Sequence, residues 1–121
     1  MAARIGILDI PALIARMNGD EALLHEIAGM FLDLLPSELT PLRSAVAAGD
    51  REAIRKSAHR LRGSLSNFGA EGAVEALRAL EALSGGTADI GSAPALLRRF
   101  ENELGLVTPE LRALAGEPAR G

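Results

Sequence analysis

Residues 50–67 read Asp50-Arg51-Glu52-Ala53-Ile54-Arg55-Lys56-Ser57-Ala58-His59-Arg60-Leu61-Arg62-Gly63-Ser64-Leu65-Ser66-Asn67. Asp50 is a good helix N-cap, because its carboxylate can accept an otherwise unpaired backbone N–H of the first turn. Ile54, Ala58, Leu61 and Leu65 follow at helical spacing. At about 100° per residue they fall within an arc of about 60°. The rest of the segment is polar, small or charged. It therefore predicts an amphipathic helix with one narrow face to bury. Such a face is covered only by apolar faces of neighbouring elements.

Those faces are found on both sides of it. Upstream, Asp9 caps a short helix carrying Ile10, Leu13, Ile14 and Met17, and Asn18-Gly19 ends it. Asp20 caps the next, where Leu23, Leu24, Ile27, Met30, Phe31 and Leu34 recur on one side. Pro36 and Pro41 predict a kink there, or a break and restart, since proline lacks the N–H and clashes with the preceding turn. Leu39, Leu42 and Val46 continue the stripe to Ala48, and Gly49 stops it. Downstream, Asn67 and Gly69 bracket a helix end. The segment from Ala70 to Ser84 presents Ala73, Val74, Leu77 and Leu80. Gly85 to Ser92 reads as a flexible connection. Ala93 to Leu104 presents Leu96, Leu97, Phe100 and Leu104. Thr108-Pro109 has the form of an N-cap followed by proline at the first helical position, so Pro109 to Ala115 would be a last short helix. No strand alternation and no internal repeat is present. The expected fold is all-α: an antiparallel four-helix bundle with a short N-terminal helix and a short C-terminal one. Residues 1–115 would be one domain and 116–121 a disordered tail.

Composition narrows the function classes. The chain has 121 residues, 48% of them hydrophobic but only 2% aromatic. Its core is therefore aliphatic, apart from Phe31, Phe68 and Phe100. A net charge of −3 argues against a general nucleic-acid binder. With no cysteine, disulfides and thiolate chemistry are excluded. No leader-like apolar run opens the chain, and no stretch has the length of a membrane span. The expectation is a cytoplasmic protein without membrane or nucleic-acid partners. It is expected to be a monomer, because one bundle would account for the apolar residues.

His59 lies about 130° from the centre of the buried arc, so it should face water. Its surface neighbours are Arg55 and Lys56 in the preceding turn, and Arg62, Gly63 and Ser66 in the following ones. A neutral imidazole nitrogen is a nucleophile towards phosphorus and can carry a phosphoryl group. Arg62 and Arg55 could hold that dianion by charge-assisted hydrogen bonds. Gly63 costs a helix about 1 kcal/mol relative to alanine. Room for an incoming partner beside the imidazole would explain it. Ser64 and Ser66, close to a helix end, more often bond backbone carbonyls than act as nucleophiles. His25 falls opposite the apolar face of its segment and has no cysteine support for a metal site, so no metal is expected. There is no phosphate-binding glycine loop and no acidic pair for magnesium. His59 also has no acid or base partner within its own helix. The pattern is that of a carrier rather than of an enzyme that draws on a nucleotide.

The motif resembles the histidine-containing phosphotransfer (HPt) domain of bacterial multistep phosphorelays. The family pattern is approximately Ala-His-x-Leu-Lys-Gly-Ser-x-x-Asn-x-Gly-Ala, followed by a helix with Leu-Glu. This chain has Ala58-His59-x-Leu61-Arg62-Gly63-Ser64-x-x-Asn67-x-Gly69-Ala70, then Leu80-Glu81. The likeness extends upstream through Asp9, Gly19-Asp20, Phe31 and Ala48-Gly49-Asp50, over about residues 8 to 104. It departs from the pattern at Arg62, where lysine is usual, and at Leu65, where a small residue is common. The resemblance implies that His59 is the phosphoacceptor, that Gly63 leaves room for the partner, and that Asn67 and Gly69 shape the turn. It implies receiver domains of response regulators or hybrid histidine kinases as partners. Magnesium would belong to the receiver, and the chain itself would need no cofactor. Two other readings compete: a helical interaction module that is not phosphorylated, and the phosphoacceptor domain of a larger chemotaxis-type histidine kinase.

Overall fold

The computed structural model describes residues 8–87 and 89–116. Five α-helices and one short 3-10 turn make up the described residues, which contain no strand. They are α1 (Ile10–Arg16), α2 (Glu21–Ala48), α3 (Arg51–Ser66), α4 (Glu71–Gly85) and α5 (Ala93–Leu114). The 3-10 turn, Ile90–Ser92, leads into α5. The protein is an all-α bundle in which α2, α3, α4 and α5 pack in sequence and α5 closes back on α2. Of the expected disordered tail, residues 117–121 lie outside the described residues.

Local chemistry sets the helix ends. The carboxylates of Asp9, Asp20 and Asp50 each accept the N–H three residues on, at 3.1, 3.0 and 3.2 Å. Gly49 takes a left-handed conformation (φ 67°), and the Asp50 N–H reaches back to the Ala45 carbonyl at 3.0 Å. That C-cap and the Asp50 N-cap reverse the chain within two residues, laying α3 antiparallel to α2. Gly69, at φ 69°, makes the equivalent turn into α4.

One expectation is narrowed and two are corrected. First, of the two alternatives at Pro36 and Pro41 the break does not occur: α2 is one continuous helix that contains both prolines. Both prolines are exposed, so each ring lies at the surface rather than in the core. Leu35, Leu39 and Leu42, which alternate with the prolines along the helix, are buried and hold it to the bundle across the interruption. Second, Thr108-Pro109 does not start a helix. The α5 helix runs through it, and the Thr108 hydroxyl donates to the Leu104 carbonyl at 2.7 Å. Val107, Leu111 and Leu114 are buried by this extension. Third, the apolar residues of α2 do not share one buried face. Leu24, Ala28, Phe31 and Leu35 are buried, whereas Leu23, Met30 and Leu34 are 40%, 63% and 53% exposed. One bundle does not account for these three.

The core is aliphatic around Phe31, Phe68 and Phe100. Ile54, Ala58, Leu61 and Leu65, the arc read from the sequence, are all at 0% exposure. Phe31 and Phe68 meet with ring centroids 5.5 Å apart and tilted by 54°, joining α2 to the α3–α4 turn. Arg51, the first residue of α3, donates to the carbonyls of Leu83 and Gly86 at 3.0 and 2.9 Å. It thereby satisfies carbonyls at the end of α4 that the helix leaves unpaired. The α3–α4 pair is thus joined at both ends, by the Gly69 turn and by Arg51. Among the described residues, no helix is long and apolar enough to cross a membrane.

Candidate functional site

His59 lies in the middle of α3, on the side away from its buried arc, with its side chain 66% exposed. The antiparallel packing of α4 brings Glu81 beside it. The His59 Nδ1 lies 3.1 Å from Glu81 Oε1 and 3.1 Å from Arg62 Nη2. Arg62 grips the same carboxylate with two groups, Nε on Oε2 and Nη2 on Oε1, the second at 3.3 Å. A neutral imidazole nitrogen either donates or accepts, so Nδ1 cannot serve both neighbours. Arg62 has a carboxylate to donate to, and Glu81 can only accept. The consistent assignment has Nδ1–H donating to Glu81, with Arg62 completing the carboxylate's shell. The Nε2 lone pair is then free and turned to solvent.

Glu81 is only 18% exposed. Burial pushes its pKa up, but hydrogen bonds from Arg62 and His59, with their charges, outweigh that and hold it below the usual carboxylate range. The Glu81 hydrogen bond and charge in turn raise Arg62 above the ordinary guanidinium value. The carboxylate therefore stays ionised beside His59 at neutral pH.

The other residues singled out from the sequence fall as follows. Gly63 is exposed, and a Cβ added there would meet nothing within 4 Å. Internal packing therefore does not demand glycine; its missing side chain leaves the surface beside His59 open. Arg55 is bound to Glu52 through two hydrogen bonds of 2.7 and 3.1 Å. Lys56 is exposed. The Ser66 hydroxyl is turned back on its own helix, donating to the Arg62 carbonyl at 2.7 Å, and Ser64 does the same to Arg60 at 3.4 Å. Asn67 ends α3, and its carbonyl accepts from Arg16 of α1 at 3.3 Å. His25 is exposed on α2, and no group of metal-ligating side chains occurs among the described residues.

Glu81 is the residue that the search for a partner within α3 missed. It stood in the sequence only as part of a motif, without a role, because its proximity to His59 depends on how two helices pair. The available signal was its place on the polar edge of the next apolar stripe, one residue after Leu80.

An exposed histidine on a helical bundle, with one ring nitrogen held by a carboxylate and the other free, is an open surface site rather than an enclosed pocket. A family model, that of the Hpt domain, matches residues 26–114, and the chain belongs to that family. Hpt domains are histidine phosphotransfer modules of phosphorelays and two-component signalling; they carry phosphoryl groups rather than act as kinases, and they work with receiver domains of response regulators. Comparison with curated proteins and with solved structures gives no match.

Proposed function

We propose that this protein relays a phosphoryl group between receiver-domain aspartates through phosphohistidine at His59. The observation that carries this is the free Nε2 of an exposed imidazole whose Nδ1–H is held by Glu81. In the forward step Nε2 attacks the phosphorus of an aspartyl phosphate. The Nε2–P bond forms, the P–O bond to the aspartate breaks, and the receiver carboxylate leaves with its electron pair. Nδ1 keeps its proton, so the ring becomes a phosphorylated imidazolium. The adjoining Glu81 carboxylate stabilises that positive charge. No proton has to move, so the same step run backwards delivers the group to a second receiver. The receiver would supply the magnesium and most of the catalytic groups.

The docking face would combine the outer side of α3 with the apolar stripe of α2. Arg43 marks the flank of α2 that meets α5, through Glu101 at 2.5 Å. Met30 and Leu34 lie round the helix from it, on the α3 side. They supply an apolar centre, and Lys56 and Arg60 a basic rim. The test is incubation with a phosphorylated receiver domain. The expected result is label that is stable in base, labile in acid and absent from His59→Gln. A bulky residue at Gly63 should slow transfer while leaving the helical signal intact. If no receiver of the same cell transfers label, the reading fails.

A further inference from the structure

We propose that Arg55 is the guanidinium that closes on the phosphoryl group once His59 carries it, with Glu52 holding it in reserve until then. The inference rests on the reading of His59 as the phosphoacceptor.

Arg62 looks the more obvious candidate, but the edge of its guanidinium that lies nearest the imidazole, Nε and Nη2, is taken up by Glu81. It binds Glu81 through two groups, its side chain is 27% exposed and that of Glu81 18%. To turn toward a phosphoryl group it would have to abandon a largely covered carboxylate, which is costly. Its nearest approach to the imidazole is also at Nδ1, the nitrogen that is not free. Arg62 is therefore a positioning residue, holding Glu81 and through it the ring.

Arg55 differs on each point. It sits one turn before His59, and helical side chains lean toward the N-terminus, so the imidazole covers the turn that holds Arg55 and Lys56. Its partner is Glu52, in an i,i+3 pair whose side chains are 46% and 60% exposed. Exposed pairs of this kind are weak and readily exchanged. The hydrogen bond and charge of Glu52, and to a lesser degree the charge of Glu81, hold Arg55 above the ordinary guanidinium value. On the helical wheel Arg55 lies about 40° from His59 and about 20° from Arg62, which pairs with Glu81, so it stands on the α4 side of the helix. A phosphoryl dianion offers the two-pronged fork of Arg55 a stronger acceptor than one exposed carboxylate. Lys56 lies on the opposite side of His59 and presents a point charge without that fork.

The test uses the whole chain loaded with phosphoramidate, a small donor whose P–N bond to ammonia is exchanged for the Nε2–P bond. Phosphorus NMR then follows the second ionisation of the phosphoryl group, and the hydrolysis half-life is read from the same samples. Arg55→Gln is expected to move the titration midpoint up and to change the half-life by about tenfold. Glu52→Gln should move the midpoint down in the wild-type background and leave it almost unchanged in Arg55→Gln, because Glu52 acts through Arg55. Lys56→Gln should move it less than Arg55→Gln. If Arg62→Gln shifts the midpoint more than Arg55→Gln, or if Glu52→Gln acts equally in both backgrounds, the assignment is overturned. If the wild-type chain accepts phosphate from neither phosphoramidate nor any receiver, the reading of His59 falls, and the Arg55 assignment with it.

Discussion

The α3 helix buries Ile54, Ala58, Leu61 and Leu65 completely and has no large apolar side chain left over. The α2 helix buries eight residues and still leaves Leu23, Met30 and Leu34 in water. In α3 every apolar residue is used by the bundle, so what remains on the surface is polar and available for chemistry. In α2 there are more apolar residues than the bundle can cover, and the surplus gathers on one flank. A surplus of that kind is expected of a surface that another protein covers for part of the time. The proposed acceptor and the apolar part of its proposed docking face thus lie on neighbouring helices with contrasting surfaces.

The comparison can be broken most easily at a buried position of α3. Leu61→Ala removes a fully covered side chain and should cost about 2–5 kcal/mol, read by denaturant or thermal unfolding. A loss comparable to that of a surface change would mean that the narrow arc is not what holds α3 to the bundle. On the exposed flank of α2 the opposite is expected. Leu34→Ser should leave stability within about 0.5 kcal/mol of the parent. It should weaken docking of a phosphorylated receiver by about fivefold, seen as a raised KM for transfer with little change in the maximal rate. Unchanged transfer would remove α2 from the docking face.

The smallest effect concerns Glu81 and pH. Its folded pKa lies below the ordinary value. Its contribution to stability is therefore fully present above the unfolded carboxylate range and fades as pH falls through the folded value. The stability gap between the wild-type chain and Glu81→Gln should be open at pH 7 and narrow below about pH 4. A gap that stays constant with pH would show that the Arg62–Glu81–His59 cluster adds nothing through ionisation.

Legibility in the sequence follows the same division. The α3 helix could be read because its apolar residues are few and strictly periodic, so the exposed side of His59 followed by elimination. Asp9, Asp20, Asp50, Gly49 and Gly69 could be read because caps and left-handed turns depend on local chemistry. The α2 helix could not be divided correctly, because a helix with apolar residues round much of its circumference does not say which of them are covered. Pro36 and Pro41 left a break open, and Pro109 suggested a helix start, for a related reason. The cost of an interior proline is local, but the burial that offsets it comes from partners elsewhere in the chain. Glu81 was legible as a residue and silent as a neighbour of His59, since only the pairing of α3 with α4 brings them together.

Arg51 ties the start of α3 to the end of α4, so His59, Arg62, Glu81 and the Arg55–Glu52 pair all belong to one hairpin, residues 51–86. The groups that would bear and steady the cargo are inherited together in one continuous stretch of chain. The apolar flank that would choose the partner is encoded in another, on α2. On that reading, variation in the second stretch would redirect the protein to a new partner without rewriting the first.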